Sequence, residues 1–290
     1  MRCRCKPLRS QGRCLCYPRI LRVPRLSFVS APSHSFYSLD SSLLPSLIDI
    51  ITTLLRDRSP LSIGNVIVAF EAICPTRLDL IHQHYRRLCR ILVDVDEWGQ
   101  VDLLNLLLRY ARIMLPRTGG DQVDKDVTLL LTSSEPLLMS RNPATVLAAA
   151  RVIYYTGPSS YHSKVVQPLL RLLHTSPEVE RVVLAYILVI CRMSPTLFSD
   201  FHSRFFLRTD DLRPVKRDKI AILLCITSND NRQTILRELI DYSDDTDDEI
   251  VATAIKGLGQ CARLFQDCRQ QCLNALINMI KNSTGVYACQ

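Results

Sequence analysis

The sequence predicts an all-α protein, a solenoid of stacked antiparallel helix pairs, on three observations. The first is a repeating helix opening: SPLSIGNVIVAF from Ser59, WGQVDLLNLLL from Trp98, NPATVLAAARVI from Asn142, SPEVERVVLAYILVIC from Ser176, DLRPVKRDKIAILL from Asp211 and DDEIVATAIKGLG from Asp247. The starts step by 39, 44, 34, 35 and 36 residues, the period of HEAT and armadillo helix-pair repeats. The second is apolar spacing at the helical period, with little of the alternation that strands need. The third is composition: 47% apolar and 22% charged, with only 9 glycines and abundant Leu and Arg, as a helical core requires.

Taken in order, residues 1–36 are a different material, mixing Arg, Cys, Pro and Ser without a helical period. They read as a disordered basic leader. Cys3/Cys5 and Cys14/Cys16 are spaced C-x-C, eight residues, C-x-C, which is not the zinc-knuckle spacing. The acid-free, Arg-rich start imitates a transit peptide, but Pro7, Pro18 and Pro24 interrupt the amphipathic helix such a peptide needs. The solenoid, residues 37–290, begins with a cap at Leu39-Asp40-Ser41 and a helix over Leu43–Leu55. A second helix spans Ile63–Ile73 and stops at Cys74-Pro75. A third is expected over Leu78–Val93, with Arg86, Arg87 and Arg90 on one stripe. That stripe could touch acidic lipid or a partner's carboxylates, or be an ordinary solvated face.

Glu97-Trp98-Gly99-Gln100 opens a helix over Val101–Leu115. Trp98, the sole tryptophan, is expected to be a buried knob between repeats, with Gly99 structural beside it. Pro116–Asp126 is read as a loop insertion that lengthens one repeat. Regular pairs follow: Val127–Ser140 with Asn142–Tyr155, Tyr161–His174 with Glu178–Arg192, Phe198–Phe206 with Val215–Ile226, and Arg232–Tyr242 with Glu249–Leu264. The stretch Val182–Cys191 is apolar almost all round, as a helix buried on every side would be. Cys268–Lys281 starts a further pair, and Ser283–Gln290 reads as a frayed stop.

Charge and cysteine usage narrow the function. The net charge of +8 comes from the leader, which has eight basic residues and no acid within residues 1–39. Removing these eight from 36 Lys and Arg leaves 28, which balance the 28 acids. Nucleic-acid binding is therefore not expected of the repeats. The cysteines beyond residue 40 sit on apolar helical segments, as buried reduced thiols do. The longest apolar run is ten residues, against about 20 for a spanning helix. An intracellular, soluble chain is expected.

Catalytic and cofactor motifs do not survive inspection. His82 and His84 point in different directions on a helix, and no H-E-x-x-H occurs. The acidic run Asp244–Glu249 lacks the glycine and final glutamate of a calcium loop. Gly257-Leu258-Gly259 follows a helix rather than a strand, so it is no dinucleotide fingerprint. The expectation is a protein with no catalytic residues, no cofactor and no metal.

Particular segments then point to a family. These are YSLD (37–40), VAFEAICPTRLDLIHQHYRRLC (68–89), LVDVDEWGQV (92–101), RYAR (109–112) and PLLMSRNPATVLAAARVIYY (136–155). From Tyr37 onward the chain resembles the beta-adaptins, and among them the beta subunits of adaptor protein complex 3. The resemblance implies the trunk of a large subunit in a heterotetrameric vesicle-coat adaptor. Its implied partners are a delta-type large chain and medium and small chains. Its implied setting is the cytoplasm, peripheral on Golgi, endosomal and coated-vesicle membranes, sorting membrane cargo toward lysosomes and related organelles. The family tends to carry further repeats before the position of Tyr37 and a longer charged insertion after RYAR. The alternative is another HEAT or armadillo scaffold, such as a nuclear transport receptor. A neutral repeat region with one tryptophan disfavours it.

Overall fold

The computed structural model describes residues 44–57, 59–115, 124–245 and 247–287, with side chains through Met279. The leader with its cysteine pairs, the cap near Asp40 and most of the 116–126 insertion lie outside the described residues. Those described form helices joined by short connections, and none forms a strand.

The first helix pair is α1 (Leu44–Leu54) and α2 (Pro60–Ile73). Next come two short helices, α3 (Asp79–His82) and α4 (Tyr85–Ile91), and the long α5 (Glu97–Met114). α6 (Lys125–Ser134) continues into a 3-10 turn over Glu135–Met139 and precedes α7 (Pro143–Thr156). α8 (Ser159–Leu172) pairs with α9 (Pro177–Met193). Two 3-10 segments, Pro195–Leu197 and Ser199–Phe205, pair with α10 (Arg213–Ile226). α11 (Arg232–Tyr242), α12 (Asp248–Leu264) and α13 (Arg269–Tyr287) complete the array.

Helix starts follow local chemistry. The side chains of Asp96, Asp124, Asn142, Ser176 and Asp247 accept hydrogen bonds from first-turn amides of α5, α6, α7, α9 and α12. These bonds satisfy donors that a helix leaves open. Proline occupies the first turn of α2, α7, α9 and α10, where its missing N–H is no loss.

The helices form two rows. One row passes from α2 to α5 to α7, then from α9 to α10 to α12. The other supplies each partner: α1 on α2, α6 on α7, the Ser199–Phe205 turn on α10, and α11 on α12. One continuous apolar core runs from Leu47 to Cys272 between them. Among the described helices, contacts run between neighbours along the array, which is the quasi-linear plan of a solenoid.

Four expectations need correction. The helix expected over Leu78–Val93 breaks at Gln83-His84, where the His84 amide donates to the Ile81 carbonyl in a tight turn before the α-helical ladder resumes with the Leu88 amide donating to the His84 carbonyl. The aromatic segment Phe198–Phe206 is 3-10 rather than α, with Phe201 out of helical geometry so that Phe198 and Phe205 meet edge to face. α9 is not buried all round: Val182 is 58% and Val189 44% exposed. Those two and Ala185 are exposed on one face of the helix. Finally, α13 continues through Tyr287, where a frayed stop was expected.

Candidate functional site

Helices α2, α5 and α7 lie side by side, so their surface-facing stripes together form one wall. α5 buries Leu103, Leu104, Leu106, Leu107, Leu108, Tyr110 and Ala111. At 3.6 residues per turn this leaves Trp98, Asp102, Asn105, Arg109 and Arg112 on the opposite stripe. Glu71 on α2 and Arg151 on α7 flank it. An open groove of about 670 Å³ lies there, lined by Glu71, Asn105, Arg109, Arg112, Ile113 and Arg151.

The groove is cationic. Arg109 Nη2 stands 3.8 Å from Glu71 Oε1, beyond hydrogen-bond distance. Its Nε and Nη2 are buried without an acceptor among the described residues. Arg151 Nη1 donates to Asn105 Oδ1 at 3.3 Å. The Arg112 guanidinium lies 5.3 Å from the centre of the Tyr155 ring, within cation–π reach. Burial pushes the Glu71 carboxyl above its usual range, with Arg109 opposing this and Asp102 reinforcing it. Glu71, with Asp102 beside it, faces three arginines.

Arg86, Arg87 and Arg90, read as one stripe, have separate fates. Arg86 Nε pairs with Asp126 Oδ1 at 2.7 Å, while the neighbouring Tyr85 hydroxyl donates to the Asp126 carbonyl at 3.0 Å. Both contacts tie α4 to α6. Asp126, expected in the loop, thus belongs to the first turn of α6, capped by Asp124. Arg87 donates to the carbonyls of Leu55, Arg56 and Asp57. It closes the C-terminal end of α1, where a cation suits the helix dipole. Arg90 is exposed.

Trp98 corrects the expectation of a buried knob, since it is 72% exposed. The cause is local: Asp96 caps the helix through the Gly99 amide at 3.2 Å. That register turns Gly99 and Gln100 inward and Trp98 out. Gly99 meets Gly64 of α2, and a Cβ on Gly64 would lie 2.9 Å from the Gly99 Cα. Only glycine allows two helix backbones to approach so closely. Gln100 is buried and donates to the carbonyls of Val95 and Val93 at 2.9 and 3.3 Å.

On α9 and α10, Lys219 is 1% exposed and its Nζ sits 2.7 Å from Asp211 and 2.9 Å from Glu180. Burial pushes the thiols of Cys74 and Cys261 up to about 11 and those of Cys89 and Cys191 up to about 12. All four are thiols near neutrality, and thiols are poor nucleophiles. Among the described residues, no group of three or more His, Cys, Asp or Glu could hold a metal ion. No described helix is long and apolar enough to cross a membrane.

The profile of the adaptin N terminal region matches residues 33–290. The chain belongs to the adaptin N-terminal family. Similar relatives include AP-3 complex subunit beta-1 of Bos taurus, 35% identical over 286 residues and covering 89% of this chain and 26% of that protein. AP-3 complex subunit beta of Schizosaccharomyces pombe is 35% identical over 255 residues, covering 88% and 34%. This adaptin chain thus spans a quarter to a third of the length of these relatives. Among known structures it is similar to a chain in a homology model of the full-length AP-3 complex in an intermediate open conformation. There the TM-score is 0.63 and identity 25%, over 81% of this chain and 43% of that one.

The groove of this adaptin escaped the sequence reading. The RYAR segment, which carries part of the family resemblance, also supplies Arg109 and Arg112. A usable signal was present: Asn105, Arg109 and Arg112 recur at i, i+4 and i+7 on the polar side of one helix. Glu71 and Arg151 come from other helices, and only packing brings them there.

Proposed function

We propose that this chain is the trunk of a beta-type large subunit in a vesicle-coat adaptor complex of the AP-3 kind. The observation that carries the reading is its 35% identity over 286 residues to an AP-3 complex subunit beta-1. The fold likeness to a chain in an AP-3 complex supports it. The role is structural and non-enzymatic: a rigid array of helices gives other chains a long surface to grip. Its partners are a delta-type large chain and the medium and small chains. It acts in the cytoplasm, peripheral on Golgi and endosomal membranes, in sorting cargo toward lysosomes and related organelles. On the α4 stripe, Arg86 and Arg87 serve intrachain contacts, and the exposed Arg90 is the residue proposed to meet an acidic partner or lipid.

Affinity capture of the tagged full chain from cytosol tests this. Recovery of delta-type, medium and small adaptor chains is the expected result. Capture of none of them, or of a GTP-loaded nuclear GTPase instead, would contradict it.

A further inference from the structure

We infer that the groove across α2, α5 and α7 is a docking site for an extended acidic peptide segment. Charge is the first argument. Three arginines, Arg109, Arg112 and Arg151, line the groove with Glu71, and Asp102 stands near Glu71, so positive charge still exceeds negative there. The Arg109–Glu71 separation of 3.8 Å leaves that pair loosely engaged. Arg109 also keeps Nε and Nη2 without an acceptor among the described residues. Those two nitrogens are sealed from solvent, so it is the exposed guanidiniums of Arg112 and Arg151 that a peptide carboxylate reaches, two-pronged where the fork geometry allows.

Shape and apolar surface are the second argument, and they select a peptide over a lipid headgroup or a free phosphate. The groove's volume, about 670 Å³, suits a peptide stretch better than one anion. Its rim carries Ile113, 64% exposed, and the half-open face of Tyr155 under Arg112. An acidic segment with apolar side chains between its carboxylates uses both kinds of surface. Trp98 continues the same stripe of α5, about 16 Å from Arg109 at 1.5 Å rise per residue. An extended peptide reaches it within about five residues.

The site does not depend on the adaptor reading, because it concerns the isolated chain and a peptide. The test is fluorescence anisotropy with the full chain and a labelled peptide that alternates Glu and Leu. A Gln-for-Glu counterpart and vesicles of anionic phospholipid are the comparison probes. The acidic peptide is expected to bind and the Gln peptide not. Arg112→Ala and Arg151→Ala should each raise Kd about tenfold, the equivalent of one charge-assisted hydrogen bond. Both side chains are exposed, and unchanged circular dichroism and melting verify the fold of each variant. Equal binding of the two peptides would overturn the proposal. So would acidic-peptide binding indifferent to both substitutions, or arginine-dependent binding to the vesicles alone.

Discussion

The α2–α5 contact and the α9–α10 contact solve one problem in opposite ways. Both join successive helices of the same row. In the first, two glycines let backbones touch, with Gly64 and Gly99 back to back. In the second, side chains fill the gap and a buried cation, Lys219, clips Glu180 of α9 to Asp211 just before α10. Ionic clips continue beyond it, where Arg213 reaches Asp247 at 2.7 Å and Lys216 reaches Asp245 at 2.9 Å. A close backbone contact tolerates no added atom. A buried ion pair fails when one partner is removed, because the remaining charge has lost both water and counter-ion. Close backbone approach and a buried ion pair thus serve the same kind of joint in different repeats.

Substitutions separate the two devices. Leu184→Asp should have the largest effect, since Leu184 is fully buried in α9 and an unpaired carboxylate there should destabilise by more than about 4 kcal/mol. Urea unfolding reads this out, and a midpoint like the parent's would mean that α9 is not internal. Lys219→Met should destabilise by about 3–5 kcal/mol, as two carboxylates are left facing each other. An unchanged melting temperature would mean that the clip contributes nothing. Gly99→Ala should destabilise by about 1–3 kcal/mol through overpacking. The new Cβ would lie 2.7 Å from both Asp96 Oδ1 and Val95 Cγ1 and 3.0 Å from the Gly64 Cα. If Gly99→Ala is stabilising, helix propensity outweighs the close contact.

Alkaline pH acts on both regions and has no effect near neutrality. The ordinary thiol value is 9.0, and burial raises Cys74 and Cys261 to about 11 and Cys89 and Cys191 to about 12. Folding therefore holds these protons after the unfolded chain has released them. Above pH 9 the unfolded state binds fewer protons, so stability falls as pH rises. The loss spans pH 9 to about 12. Denaturant midpoints measured across that range should decline, and Cys→Ser variants should flatten the slope. A midpoint that rises with pH above 9 would reverse the assignment.

What was legible in the sequence follows from locality. Caps at Ser176, Asn142 and Asp247 mark helix starts because the bond partner is two or three residues away. The solenoid was legible because its period repeats. Trp98 was misplaced because its direction depends on which amide Asp96 caps, a choice of one residue that rotates the helix face. The break at Gln83 was missed because the apolar pattern runs across it. Burial of Lys219 cannot be read from its own helix, since Glu180 lies 39 positions earlier and charge pairing depends on stacking. The groove shares that limit, with Glu71, Arg109 and Arg151 on three different helices.

The central claim is that these stacked helices are a trunk for assembly with other adaptor chains. Native mass spectrometry after co-expression with delta-type, medium and small adaptor subunits addresses it directly. The account predicts one heterotetramer with a single copy of each chain. This chain emerging alone, with the other three assembled without it, would contradict the claim.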